Sequence, residues 1–307
     1  MTEYRIELAE SCGFCFGVRR AVELVYDLRK HTDKQIYVMG ELIHNGLFIE
    51  RLKNDGIFCI EDESELEALY PRRKELIVVI RTHGVTKQLS ESLAAQGFEV
   101  VDATCPFVKR IHKIVDENSR DGELTVIVGD KQHPEVVGIQ SYAHGEAVVC
   151  ADEFECLKIL DEKRTNNEEN IVLVSQTTGN NEKYVNCQKV IKKVYTTTRI
   201  FDTICSVTEN RQNEVMQMAA RADVMCVIGG AKSSNTRKLY EIARLSCQNV
   251  FLLEQAKDVP AEELQHLCTN TSGRIFTVGI TAGASTPDDI IEEVKVRIES
   301  VLKALSD

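Results

Sequence analysis

The sequence has no run of roughly 18 uncharged apolar residues, the length a helix needs to cross a bilayer. Its first residues, Met-Thr-Glu-Tyr-Arg-Ile-Glu, lack the apolar stretch of a secretory leader. Both absences predict a soluble, cytoplasmic chain with no membrane partner. Positive charge is also scarce: 37 Lys and Arg stand against 48 Asp and Glu, a formal net charge of −11. That balance, with no helix-turn-helix signal, excludes general attraction to nucleic acid, though it leaves room for a small basic pocket. Finally, Cys12-x-x-Cys15 has no second C-x-x-C to pair with, which excludes a structural zinc site of four cysteines.

Cysteine itself is abundant, at 11 of 307 residues. In a reducing cytoplasm these thiols are not expected to form structural disulfides. The default role of any one of them is that of a small buried hydrophobe. Three stand apart by context. Phe98-Glu-Val-Val-Asp-Ala-Thr-Cys105 and Arg199-Ile-Phe-Asp-Thr-Ile-Cys205 are the same pattern 100 residues apart, a short strand, Asp-x-x-Cys, then a helix. A looser copy, without the Asp, ends at Cys15, 90 residues before Cys105.

The segments after these three cysteines repeat too. An amphipathic helix comes first, marked by Val18, Ala21, Val22, Val25 and Leu28, then by Val108, Ile111 and Val115, then by Val215, Met218, Ala219 and Ala222. Then come strands Gln35–Met39, Leu124–Val128 and Val224–Ile228, running into polar loops with His44, His133 and Ser234, which lie 29, 28 and 29 residues after their cysteines. Further strands lead to Thr82-His-Gly84, Gln176-Thr-Thr-Gly179 and Thr281-Ala-Gly-Ala-Ser285, with helices predicted over 89–96, 185–194 and 288–301.

Alternating strands and helices predict α/β units with largely parallel sheets, whose ligands sit beyond the carboxyl ends of the strands. Three pseudo-threefold-related units are expected: 16–105, 106–205, and 206–307 completed by the N-terminal strand of 1–15, with the cysteines facing a shared centre. Tandem domains with inert cysteines would explain the strands, but not polar residues recurring at matched offsets.

Three thiolates without a fourth suit an iron–sulfur cluster with one open iron, where a substrate can bind. Cys12 has no counterpart in the other units and is read as a bystander. His44, His83 and His133 supply donors or positive charge for phosphate oxygens, and Thr177, Ser233, Ser234, Asn235 and Ser285 add neutral donors. Together they predict a pocket for a small diphosphate. Glu135, in His-Pro-Glu, is the expected proton carrier. His31, His112, His144 and His266 do not recur and are read as core or surface residues.

Gly13-Phe-Cys-Phe-Gly-Val18, Ile43-His-Asn45, His83-Gly-Val85, Asp102-Ala-Thr-Cys-Pro106, His133-Pro-Glu-Val136, Gln176-Thr-Thr178, Asn210-Arg-Gln212, Ser233-Ser-Asn235 and Thr281-Ala-Gly-Ala-Ser285 together resemble the 4-hydroxy-3-methylbut-2-enyl diphosphate reductase family. The resemblance implies a trefoil of three α/β domains around one [4Fe-4S] cluster per chain, and reductive removal of an allylic hydroxyl. It implies cluster ligands at Cys15, Cys105 and Cys205, and diphosphate contacts at His44, His83, His133, Ser233, Ser234, Asn235 and Ser285. It also implies a proton donor at Glu135, an active-site threonine at Thr177, and ferredoxin or flavodoxin as electron donor. Ile204-Cys-Ser-Val-Thr-Glu-Asn210 and Gly229-Gly-Ala-Lys232 depart from the commoner family pattern without altering a ligand. A redox-neutral iron–sulfur dehydratase of the quinolinate synthase type is the nearest rival. A zinc or iron hydrolase and an iron–sulfur sensor are more distant ones.

Overall fold

Leu76–Ile80, Leu124–Val128 and Val224–Ile228 are buried at every position. A strand tolerates that only when both faces of its sheet are covered, as in parallel α/β folds. A computed structural model describes residues 3–163, 170–195, 197–271 and 273–305.

In chain order the elements begin with β1 (Tyr4–Leu8), α1 (Phe16–His31), β2 (Gln35–Met39), α2 (Gly46–Asn54), β3 (Ile57–Ile60), α3 (Glu63–Leu69), β4 (Leu76–Ile80), α4 (Lys87–Ala95) and β5 (Glu99–Asp102). They continue with α5 (Pro106–Asn118), β6 (Leu124–Val128), α6 (Pro134–Gln140), β7 (Glu146–Cys150), α7 (Glu153–Glu162), β8 (Ile171–Ser175), α8 (Asn181–Val194) and β9 (Thr198–Ile200). The last are α9 (Ser206–Ala219), β10 (Val224–Ile228), α10 (Ser234–Ala243), β11 (Asn249–Leu253), α11 (Ala261–Thr269), β12 (Phe276–Ala282) and α12 (Asp288–Lys303).

These strands form three four-stranded sheets, ordered β3-β2-β4-β5, β7-β6-β8-β9 and β11-β10-β12-β1, and every pairing is parallel. The three share one topology: the first strand of the set is flanked by the second and the third, and the fourth lies outside the third. In the last sheet the fourth place is taken by the N-terminal strand, paired from Tyr4↔Phe276 to Leu8↔Ile280. The chain divides into two compact units, one of Met1–Val18, Ile43–Phe48 and Ser206–Asp307, the other of Arg19–Leu42 and Ile49–Cys205. The first unit holds the sheet containing β1; the second holds the other two.

Register is set by side-chain alternation. Val224, Cys226 and Ile228 enter a core shared with α11 and α12, while Met225 and Val227 enter one shared with α9 and α10. Likewise Leu124, Val126 and Val128 face α7 and α8, and Ile127 faces α5 and α6. A one-residue slip would exchange the two sets, so the register is strongly specified. In a sheet of this order the crevice opens beyond the carboxyl ends of the first and third strands, where their connections diverge to opposite sides. The polar loops come directly after those strands in all three sheets. No helix among the described residues is long and apolar enough to cross a membrane.

Candidate active site

Each of the three singled-out cysteines comes after the fourth strand of its sheet and precedes a helix. Each donates its backbone N–H to a carbonyl in the loop after the third strand: Cys15 to Ala284 at 3.2 Å, Cys105 to Thr82 at 2.9 Å and Cys205 to Thr177 at 3.0 Å. The sequence repeat is thus a repeated backbone frame. These three are partly exposed, whereas Cys150, Cys156, Cys187, Cys226, Cys247 and Cys268 are buried. Cys105 is the N-cap of α5, with Pro106 in the first turn. Proline presets the backbone angle of that turn. Cys12 differs: burial pushes its thiol up to about 11, and its sulfur lies 3.9 Å from the Ile280 carbonyl, as suits a packed neutral thiol.

Within the second unit the carboxylate expected to carry a proton has a defined seat. His133 caps α6, and its Nδ1 accepts the Glu135 N–H at 3.2 Å, while Pro134 opens the helix. Glu135 is only 1% exposed. The Thr177 N–H donates to its Oε1 at 2.5 Å, and the Thr177 hydroxyl donates to Oε2 at 2.8 Å. Burial pushes the carboxyl up to about 7, and the two bonds from Thr177 pull in the opposite direction without overcoming it. A helix-dipole role would have lowered it; desolvation wins, and the group holds a proton near neutral pH.

The rings of His83 and His133 meet edge to face at 5.2 Å. A continuous path of contacts therefore runs from Cys105 through Thr82 and His83 to His133, Glu135 and Thr177, and on to Cys205. His112 supports it as a wedge: its ring stacks on Tyr142 at 4.3 Å and lies against Gly84 and Gly138, where a Cβ would come within 2.9 and 3.3 Å of it. Gly84 also has φ +74°, so it serves both the turn and the close approach.

The first unit holds Cys15, His44, Ser233, Ser234, Asn235 and Ser285. Asn45 accepts the Phe48 N–H at 3.0 Å, starting α2 and fixing the loop of His44. The Ser285 hydroxyl donates to the His44 carbonyl at 3.3 Å. Ser233 caps α10, accepting from the Thr236 N–H at 3.3 Å. Asn235 is buried, yet neither its amide oxygen nor its nitrogen has a partner among the described residues. Gly229 has φ +145° and, like Gly283, lies where a Cβ would strike Thr236, at 2.7 and 2.1 Å. Gly229→Ala is accordingly expected to lower stability by about 1–3 kcal/mol, measurable as a lower denaturant midpoint with an unchanged m-value.

Sequence reasoning gives Arg211 no role. Its buried guanidinium donates to the Gly13 carbonyl at 2.6 Å and to the Ala282 carbonyl at 2.9 Å, tying together the two segments that frame Cys15. A signal is present nonetheless: Arg211 lies four residues before Val215, on the apolar stripe of its helix.

Three matched parallel sheets, a partly exposed cysteine after the fourth strand of each, and a buried acid on a threonine define a cysteine-bearing α/β enzyme. The chain belongs to the LytB protein family, whose model matches residues 6–299. Among its relatives, the 4-hydroxy-3-methylbut-2-enyl diphosphate reductase of Caldanaerobacter subterraneus subsp. tengcongensis is 40% identical over 299 residues, covering 96% of this chain and 97% of that protein. The enzyme of the same name from Aquifex aeolicus is 38% identical, covering 96% of each. A solved (E)-4-hydroxy-3-methyl-but-2-enyl diphosphate reductase, described as the terminal enzyme of the non-mevalonate pathway, superposes with a TM-score of 0.68 at 36% identity, covering 98% of this chain and 100% of that one. The Plasmodium falciparum E-1-hydroxy-2-methyl-but-2-enyl-4-diphosphate reductase superposes with a TM-score of 0.81 at 25% identity, covering 96% of this chain and 87% of that one.

Proposed function

We propose that this chain reduces 4-hydroxy-3-methylbut-2-enyl diphosphate to isopentenyl and dimethylallyl diphosphates, consuming two electrons and two protons and releasing water. The observation that carries the reading is the buried Glu135 carboxyl, protonated near neutral pH on a threonine whose own carbonyl holds the Cys205 backbone. The two compact units are read as three domains, 16–105, 106–205 and 206–307, with 1–15 completing the last.

The donor set fits one [4Fe-4S] cluster on Cys15, Cys105 and Cys205. These are the thiols with a common frame and partial exposure, and soft thiolates are what such clusters take. When bound, the cluster would supply the electrons and, through an iron without a protein ligand, Lewis acidity. Ferredoxin or flavodoxin is the class of donor that would feed it. None of the eleven cysteines is engaged in a disulfide, which leaves Cys15, Cys105 and Cys205 available as ligands.

The remaining steps belong to side chains. His44, His83, His133, Ser233, Ser234, Asn235 and Ser285 bind the diphosphate through N–H and O–H donors. Glu135 passes its proton to the departing hydroxyl oxygen, which leaves as water. Thr177 holds the carboxyl in position and orients the substrate hydroxyl. The unpartnered amide of Asn235 is a cost in stability that a binding site carries. Asn235→Leu should therefore raise the melting temperature of the unliganded protein by a few degrees while weakening diphosphate binding at least tenfold, read by thermal melts with and without inorganic diphosphate.

Anaerobic turnover of the allylic diphosphate with an artificial reductant, alongside iron and sulfide analysis, tests the whole reading. Two electrons oxidised per substrate, with both isomers formed, are expected. Conversion without reductant would instead indicate a redox-neutral dehydratase.

A further inference from the structure

Three buried cysteines play no part in the proposed reaction. Cys150 ends β7, Cys156 lies on α7 and Cys187 lies on α8, all in the second unit. Their exposures are 0, 1 and 0%, and their sulfur atoms all lie within 4.8 Å of one another. The residues around them are apolar, among them Leu160, Leu173 and Ile191. Among the described residues, no histidine or carboxylate joins the group. Thiols used only to fill space have no need to meet tip to tip from three separate elements.

We propose that Cys150, Cys156 and Cys187 form a second metal site, distinct from the cysteines of the proposed cluster, that takes one soft monovalent cation of the copper(I) class. Spacing, coordination number and charge each narrow the choice. A single ion with sulfurs about 2.3 Å away holds them about 3.8–4.0 Å apart, within the span observed. A four-iron cluster spreads its thiolates over separate irons and would force them farther apart. Structural zinc takes four ligands, and no fourth is found among the described residues. Soft thiolates select copper(I), which accepts three.

An apolar core also penalises net charge. One thiolate, two thiols and one monovalent cation sum to zero. Binding then forms three metal–sulfur bonds, one to a thiolate whose S–H proton passes to solvent and two dative bonds from the lone pairs of the other two thiols, and no electron is transferred. Any of the three can serve as the thiolate, since their sulfurs meet at one point in the same apolar surroundings. The Cys150 carbonyl accepts the Gly129 N–H at 2.9 Å, at the root of the loop that carries His133 and Glu135. Occupancy is therefore tied to the backbone that positions them.

The test is an anaerobic titration of the cluster-loaded protein with copper(I) presented by a colorimetric copper(I) chelator. One copper per chain should leave the chelator with iron and sulfide unchanged, and X-ray absorption at the copper edge should show three sulfur neighbours. Cys156→Val and Cys187→Ala, if they retain iron and far-UV dichroism, should bind at least 100-fold more weakly. No uptake by the unsubstituted protein, uptake only with loss of iron, or unchanged affinity in those variants would overturn the site. Should the variants fail to fold, the absorption spectrum of the unsubstituted protein decides: fewer than three sulfurs, or any oxygen or nitrogen neighbour, overturns it. Each outcome is read from metal uptake and not from turnover of the diphosphate, so failure of this site leaves the reading of the reaction standing.

Discussion

Glu135→Gln should lower kcat by about 10²–10⁴-fold, the usual worth of a positioned proton donor, while iron content and KM change little. Gln keeps the shape and one carbonyl oxygen for the Thr177 N–H. What it loses is a transferable proton. The same substitution should leave a thermodynamic mark that a merely structural role would not. The carboxyl titrates at about 7 in the folded chain against 4.5 for an ordinary glutamate. The folded state then binds the proton more tightly than the unfolded state. Stability is highest below pH about 4.5, falls as pH rises through about 7, and the full penalty stands above it, on the order of 3 kcal/mol. Gln has no proton to lose and so shows no such fall. The stability of the variant relative to the parent should therefore climb between pH 5 and pH 8, as read from denaturant midpoints across that range. A flat difference, or near-normal turnover, would remove Glu135 from the role.

Much of this is visible in the sequence because the same physical problem is solved three times. Interior strands such as β4, β6, β8 and β10 are covered on both faces, so they are written as dense apolar runs, and the ranges expected for 35–39, 124–128 and 224–228 match the observed ones. Helix starts are less legible. The helix expected from residue 185 begins at Asn181, because Asn180 caps it through the Lys183 N–H, a signal carried by polar residues rather than by periodicity. The edge strands β3, β7 and β11 do not stand out; Glu146–Cys150 runs from exposed to buried and Asn249–Leu253 is mostly half-buried, so they read as neither pure core nor clean alternation. Of the site, residue identities are legible and mutual contacts are not. Nothing in His133-Pro-Glu135 says that its carboxylate rests on a threonine 42 residues away, since that pairing is set by the register of β6 against β8. The meeting of Cys150, Cys156 and Cys187 is hidden for the same reason. Cys150 is placed by β7 pairing, Cys156 and Cys187 by two helices packed over it, and no spacing rule links them.

Cys205→Ser should abolish turnover and the brown absorbance of the anaerobically purified protein, while leaving the folded chain intact. The reasoning separates sulfur from backbone. Cys205 is held in place by its N–H on the Thr177 carbonyl, a bond that serine keeps, so the start of α9 and the seat of Glu135 survive the exchange. What disappears is a soft ligand, and a hydroxyl is a poor substitute for iron that prefers thiolate. The variant should therefore retain the same fall in stability through pH 7 as the parent, because Glu135 and Thr177 are untouched, yet show no added stabilisation when iron and sulfide are supplied. Cys12→Ser is the internal control. Its thiol is protonated and packed, so iron content and turnover should persist. Equal loss of iron in both variants would mean that overall packing, and not ligation by Cys205, governs cluster retention. Iron retained in Cys205→Ser would remove this cysteine from the ligand set.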